Sequence, residues 1–167
     1  GDKMRISLHE AVSDGSRAYA SLTIKDAGLV FSRDMDRFKS TSQIQYIIIH
    51  HTGAAVEQSP AIIHDYHKRV RGWAGAGYHF YVRRNGDVYS LRPTEYVGVH
   101  TSGYNSKSIG VCFEGNYNIQ TLTSVQLSAG KQLIAYLVSQ YNIKNGYIKR
   151  HGDYASTDCP GKNFPMT

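Results

Sequence analysis

Toward its C-terminal end the chain reads His151-Gly152-Asp153-Tyr154-Ala155-Ser156-Thr157-Asp158-Cys159-Pro160-Gly161. An imidazole and a thiol thus stand eight positions apart on one short polar stretch. Nitrogen and thiolate sulfur together suit a borderline-soft cation such as zinc, and a loop of this length lets both side chains reach one ion. Two ligands leave the coordination incomplete. The best source of a third lies far upstream, at the end of the apolar run Ile44-Gln45-Tyr46-Ile47-Ile48-Ile49-His50-His51-Thr52. Three protein ligands with an open fourth position is the arrangement of a catalytic zinc, whereas four protein ligands close a structural one. The pattern implies a zinc hydrolase.

The elements that must position these groups can be read from hydrophobic patterning. Residues 44–50 are nearly all β-branched or aromatic, as expected of a central strand covered on both faces, and open α/β sheets present function at such strand ends. Side chains alternate across a strand, so His50 and His51 point to opposite sides and only one of them can join the metal. Tyr147-Ile148-Lys149 reads as a last short strand that delivers His151. Between these strands, Ser59 as N-cap and Pro60 at the first helical position open a helix whose inner face is expected to carry Ile62, Ile63, Tyr66 and Val70. His64 and His67 are three apart on that helix; with no third ligand beside them they read as packed or solvated rather than as a second metal site. Gly72-Trp73-Ala74-Gly75-Ala76-Gly77 is flexible but lacks the lysine and spacing of a phosphate loop.

Residues 78–84 and 87–91 flank Asn85-Gly86, a strong hairpin signal. Residues 96–100 and 108–115 read as further strands. Thr123-Ser124-Val125-Gln126 has the form of a capping box, opening a helix to about Gln140 with Gly130, Leu133, Ile134, Leu137, Val138 and Tyr141 inside. At the N-terminal end the signals are weaker: a turn at Asp14-Gly15-Ser16, one helical turn over residues 23–28 stopped by glycine, and a short strand at Leu29-Val30-Phe31. The expected fold is α/β, a single domain with a central mixed β-sheet flanked by helices. Residues 1–40 are an N-terminal extension packing on or preceding a domain of residues 41–167.

The 167 residues suffice for one full core without disulfide staples. Hydrophobic residues make up 41% and charged residues 19%, an ordinary globular balance. No apolar stretch reaches the roughly 20 residues of a membrane span, and the start, Gly1-Asp2-Lys3-Met4-Arg5, lacks a signal-peptide pattern. Of the two cysteines, Cys112 sits in the apolar run Ser108-Ile109-Gly110-Val111-Cys112-Phe113 and reads as a small hydrophobe, whereas Cys159 sits in a polar loop. A disulfide between them is disfavoured. The formal charge of +6 and a pI near 9.3 point to an anionic partner. Nucleic acid is one option, but the basic residues are scattered and accompany no nucleic-acid motif; bacterial wall polymers, rich in carboxylate and phosphate, would attract the same charge, and charge alone does not decide.

Several blocks together resemble one family. I-I-I-H-H-T-G, G-Y-H-F-Y-V-R-R-N-G-D-V-Y, V-G-V-H-T-S-G-Y-N, S-I-G-V-C-F-E-G-N and H-G-D-Y-A-S-T-D-C-P-G follow the order found in the type-2, zinc-dependent N-acetylmuramoyl-L-alanine amidases, which include phage T7 lysozyme and the peptidoglycan recognition proteins. The resemblance covers roughly residues 44 to 162. It implies that zinc is held by His50, His151 and Cys159, and that the bond cut joins N-acetylmuramic acid to L-alanine in bacterial peptidoglycan. It places Tyr78 beside the attacking water and Thr157 at a position that is lysine in many phage enzymes. Glu114 is a candidate general base, on the same side of its strand as the position where some relatives carry the acid. His100, Trp73 and Asn105 are candidate muropeptide contacts. The expected protein is a monomer acting on the cell wall, with no membrane or nucleic-acid partner. The alternative is a peptidoglycan-binding module without catalysis; such members of the family typically lose the cysteine, which is present here.

Overall fold

The computed structural model describes Met4 and residues 19–166. The turn expected at Asp14-Gly15-Ser16 lies outside them. Six strands form one mixed sheet: β1 (Ile24–Asp26), β2 (Tyr46–His51), β3 (Phe80–Val82), β4 (Val88–Ser90), β5 (Ser108–Phe113) and β6 (Ile148–Arg150), in the spatial order β1-β4-β3-β5-β2-β6. Only the β3–β4 hairpin is antiparallel; β2 pairs in parallel with both β5 and β6. Parallel neighbours require crossovers. The helix α1 (Pro60–Arg69) lies in the connection from β2 to β3, and α2 (Ser124–Tyr141) in that from β5 to β6.

The apolar content divides over the two faces. Ile47, Ile49, Phe80, Val82, Ile109, Val111 and Phe113 pack with Leu133, Ile134, Leu137 and Val138 of α2. On the other face a smaller cluster joins Ile63 of α1 to Ala76, Tyr81, Leu91 and Cys112. The run of β-branched residues in β2 is therefore covered on both sides, which fixes which way each histidine at its end points. Both cysteines are free and buried. Among the described residues no helix is long and apolar enough to cross a membrane.

Local details depart from the sequence expectation in five places. Residues 24–26 form an edge strand parallel to β4 rather than a helical turn, because the hairpin leaves an open edge for them to pair with. Residues 29–31 are irregular, and residues 96–100 contribute only an isolated bridge between Tyr96 and Arg37. On α1, Ile63 is inside but Ile62, Tyr66 and Val70 are 51%, 46% and 64% exposed; Pro60, Ile63, His64 and His67 form the buried face. Their spacing of three and four is the same helical period, rotated about the axis. The capping box at α2 is half formed: Thr123 accepts the Gln126 N–H at 3.1 Å, but the Gln126 amide donates to the Val82 and Glu114 carbonyls instead of reaching back.

Candidate metal centre

The three residues singled out by the sequence converge. One ligand atom each of His50, His151 and Cys159 lies within 4.8 Å of the others, the single such group of three or more His, Cys, Asp or Glu among the described residues. Tetrahedral zinc with bonds of about 2.0–2.1 Å to nitrogen and 2.3 Å to sulfur sets its ligand atoms roughly 3.3–3.6 Å apart. The Cys159 Sγ to His50 Nδ1 separation of 4.0 Å is within a few tenths of that. The donor set fits the metal.

Each ligand is positioned by a different device. His50 stands one residue before the end of β2, opposite Cys112 of β5, and is almost wholly buried. His51 turns to the other face, where its Nδ1 accepts the Tyr117 N–H at 3.1 Å. Strand β6 delivers His151 into a 3-10 turn, His151–Asp153, with the Asp153 carboxylate accepting the Arg150 N–H. The loop is then closed by the Gly152 N–H on the Cys159 carbonyl at 2.9 Å. Glycine is required there, since a Cβ at Gly152 would stand 2.5 Å from the Thr157 carbonyl oxygen. This closure converts a separation of eight in sequence into adjacency in space.

Burial and the neighbouring imidazoles of His100 and His151 hold the His50 pKa well below the ordinary histidine value, so its ring is neutral and able to ligate. Burial pushes the Cys159 thiol up to about 11, against the opposing pull of the His51 N–H, which donates to Sγ at 3.3 Å. A cation held there would supply the charge that favours the thiolate, and the His51 N–H is the hydrogen bond that a buried thiolate would need. This main-chain role of His51 was not visible in the residue pattern.

The remaining candidates separate. Tyr78 packs its ring 5.0 Å from that of His50, and burial beside the Cys112 and Cys159 sulfurs raises its pKa well above the usual phenol. Its hydroxyl therefore keeps its proton and is a donor. Thr157 is exposed on the ligand loop, and its Oγ1 accepts the Cys159 N–H at 3.2 Å. A groove of about 520 Å³ leads to His151, lined by Trp73, Tyr78 and His100 together with Thr52, Tyr66 and Arg71. Asn105 is not on that wall. Its Oδ1 accepts the N–H groups of His100 and Thr101, which turns the loop that carries His100.

Glu114 is enclosed elsewhere. Its carboxylate is 2% exposed, paired with Arg83 at 3.0 Å, and accepts the N–H groups of Gln58 at 2.7 Å and Arg84 at 3.0 Å. Burial works to raise its pKa, but the Arg83 guanidinium and these N–H groups more than offset it, and the net shift is downward. A carboxylate so occupied is a poor proton acceptor. Tyr66 and Arg71 are groove residues that the sequence reading missed; the basic run Lys68-Arg69-Val70-Arg71, beginning on an otherwise amphipathic helix, was the available signal.

With this geometry in view, the chain matches, over residues 40–162, the family described as N-acetylmuramoyl-L-alanine amidase. The chain belongs to that family. It is 42% identical over 131 residues to peptidoglycan-recognition protein SC2 of Drosophila simulans, covering 74% of this chain and 71% of that protein. Its fold superposes on the N-acetylmuramoyl-L-alanine amidase LysC of Clostridium intestinale URNW with a TM-score of 0.77 and 37% identity, over 86% of this chain and 91% of the other. Peptidoglycan recognition protein-LE, solved in complex with tracheal cytotoxin (monomeric diaminopimelic acid-type peptidoglycan), superposes with a TM-score of 0.74 at 26% identity, over 85% of this chain and 89% of its own. The mixed sheet with two helices is the fold of this amidase and recognition-protein family. Membership thus joins enzymes and recognition proteins, and the site must decide between them.

Proposed function

We propose that the protein is a zinc-dependent N-acetylmuramoyl-L-alanine amidase that hydrolyses the amide between the lactyl group of N-acetylmuramic acid and L-alanine of the stem peptide. One observation carries the reading: His50, His151 and Cys159 form a three-ligand set with the donor chemistry of a catalytic zinc, and His151 lies on the wall of a groove of about 520 Å³. Zinc held there supplies a Lewis acid that activates water and polarises the scissile carbonyl. The chain's own residues do the rest. Trp73 and Tyr66 on the groove wall hold the substrate, and the net positive charge favours its carboxylates. Tyr78 keeps its phenolic proton and donates a hydrogen bond toward the carbonyl oxygen as charge develops on it. Thr157 accepts from the Cys159 N–H and retains its own hydroxyl proton as a second donor.

Glu114 takes a bracing role in this proposal. It ties Arg83 and Arg84, at the hairpin, to Gln58, which lines the groove. Asn105 shapes the loop behind the site rather than contacting substrate. The catalytic unit spans residues 41–167 and acts on the bacterial wall as a monomer. A second reading, recognition without hydrolysis, is supported by the relatives that carry recognition-protein names. Incubation with purified muropeptide, followed by mass spectrometry, separates the two. The amidase reading expects a free stem peptide with an unblocked alanine amine, lost with chelator and restored by zinc. Intact muropeptide bound with zinc present establishes the recognition reading instead. In the same assay, Thr157→Lys should retain zinc and measurable activity, whereas Thr157→Val should lose most hydrolysis; parental rates in Thr157→Val would remove the hydroxyl from the mechanism.

A further inference from the structure

The ring of His100 is closely confined. A Cβ at Gly110 would stand 2.7 Å from its Cδ2, and one at Gly98 would stand 2.8 Å from the same atom, so both flanking positions need glycine to admit the ring. With no space to turn, its two nitrogens face fixed partners. Nε2 lies 3.3 Å from the Ser108 hydroxyl oxygen; Nδ1 lies 2.9 Å from His50 Nε2 and 3.0 Å from Thr101 Oγ1.

The proton positions follow from the one member of this chain that has no choice. The Tyr104 carbonyl can only accept, and the Ser108 hydroxyl, 2.8 Å away, gives it its single proton. Ser108 Oγ is then an acceptor toward His100, so His100 carries its proton on Nε2 and its Nδ1 is bare. A bare Nδ1 at 2.9 Å from His50 Nε2 accepts from it, so the His50 proton is on Nε2. The lone pair of His50 is left on Nδ1, the atom that faces Cys159 Sγ. Thr101 is compatible with either end of this bond, since its hydroxyl can donate to His100 Nδ1 while sharing the His50 N–H at 3.4 Å.

We infer that His100, set by Ser108 and the Tyr104 carbonyl, is a positioning residue that selects the Nε2–H tautomer of His50 and so readies Nδ1 for the metal. This gives His100 a role other than substrate contact, and it rests on the ligand set of the proposed function. Second partners of this kind orient a ligating imidazole and typically contribute 10- to 100-fold to metal affinity.

Long-range 1H–15N correlation on the zinc-free, 15N-labelled protein at pH 8 reads the tautomers directly. His50 and His100 should both carry their protons on Nε2. In Ser108→Ala, which leaves the ring its space, the His100 preference should be lost and the zinc Kd, measured by competition with a chromophoric chelator, should rise about 10- to 100-fold with an unchanged far-UV spectrum. A His50 proton on Nδ1 in the parent protein would overturn the inference, and so would a parental zinc Kd in Ser108→Ala. A protein that shows both tautomers as inferred yet binds no zinc upholds the hydrogen-bond chain and removes the proposed function instead.

Discussion

The buried histidines fall into two groups, and burial alone does not distinguish them. His64, His67 and His79 are as enclosed as His50 and His100. In the first group, ring nitrogens are committed to the backbone. His64 Nδ1 accepts the Ala76 N–H while its Nε2 donates to the Val30 carbonyl; His67 Nδ1 accepts the Gly77 N–H; His79 accepts from Gly110 and donates to the Tyr96 carbonyl. In the second group, His50 Nδ1 meets only another candidate ligand, Cys159 Sγ, at 4.0 Å. The first group pins a glycine-rich loop to α1 and to the sheet. The second leaves the His50 Nδ1 facing Cys159 Sγ, while His100 holds the opposite nitrogen of the same ring. A count of satisfied donors and acceptors, rather than depth, separates a structural histidine from a ligand.

The largest effect should come from the ligand group. Cys159→Ser is expected to abolish hydrolysis and most zinc binding while the sheet core keeps the circular-dichroism spectrum of the parent; retained zinc affinity would place Cys159 with the structural residues. Tyr78→Phe keeps the ring against His50 and removes one donor. Turnover on muropeptide should fall by roughly 10²–10³ with zinc still bound, and unchanged turnover would reduce Tyr78 to packing.

The structural group should respond in the opposite way. His64→Ala leaves the Ala76 N–H and the Val30 carbonyl unpaired, so urea denaturation should show a loss of about 1–3 kcal/mol, with the zinc Kd of the folded protein unchanged. A shift in Kd would merge the two groups. The smallest effect is a pH dependence. Burial, with smaller contributions from nearby charges, lowers His67 to about 4, and burial lowers His79 to about 4, from an ordinary value of 6.5. A folded-state value below the unfolded one means that the unfolded chain binds more protons between the two. Stability is therefore fully present above about pH 6.5 and falls as pH drops toward 4, on the order of 1–2 kcal/mol per histidine by pH 5. Urea midpoints of the zinc-free protein at pH 7.5 and 5 would test this, and equal midpoints would contradict it.

Much of the sheet and the ligand loop was legible because the signals were local. A continuous β-branched run, an Asn-Gly turn and a serine–proline helix start each specify an element within a few residues. What the sequence concealed was decided by distant partners. Residues 24–26 become a strand only because β4 leaves an edge unpaired. The apolar period on α1 is overridden because the N–H groups of Ala76 and Gly77 need acceptors, which turns His64 and His67 inward and leaves Ile62, Tyr66 and Val70 outside. Glu114 looked available until Arg83 and two backbone N–H groups were seen to occupy it. The serine and the two glycines around His100 lie in the blocks that carry the family resemblance, but residue types alone do not show that they meet at one ring.

X-ray absorption at the zinc edge of the reconstituted protein tests the central claim most directly. The account predicts one zinc per chain with one sulfur at about 2.3 Å and two imidazole nitrogens at about 2.0–2.1 Å, and loss of the sulfur shell in Cys159→Ser. A spectrum without sulfur in the parent protein, or one unaltered by Cys159→Ser, would contradict it.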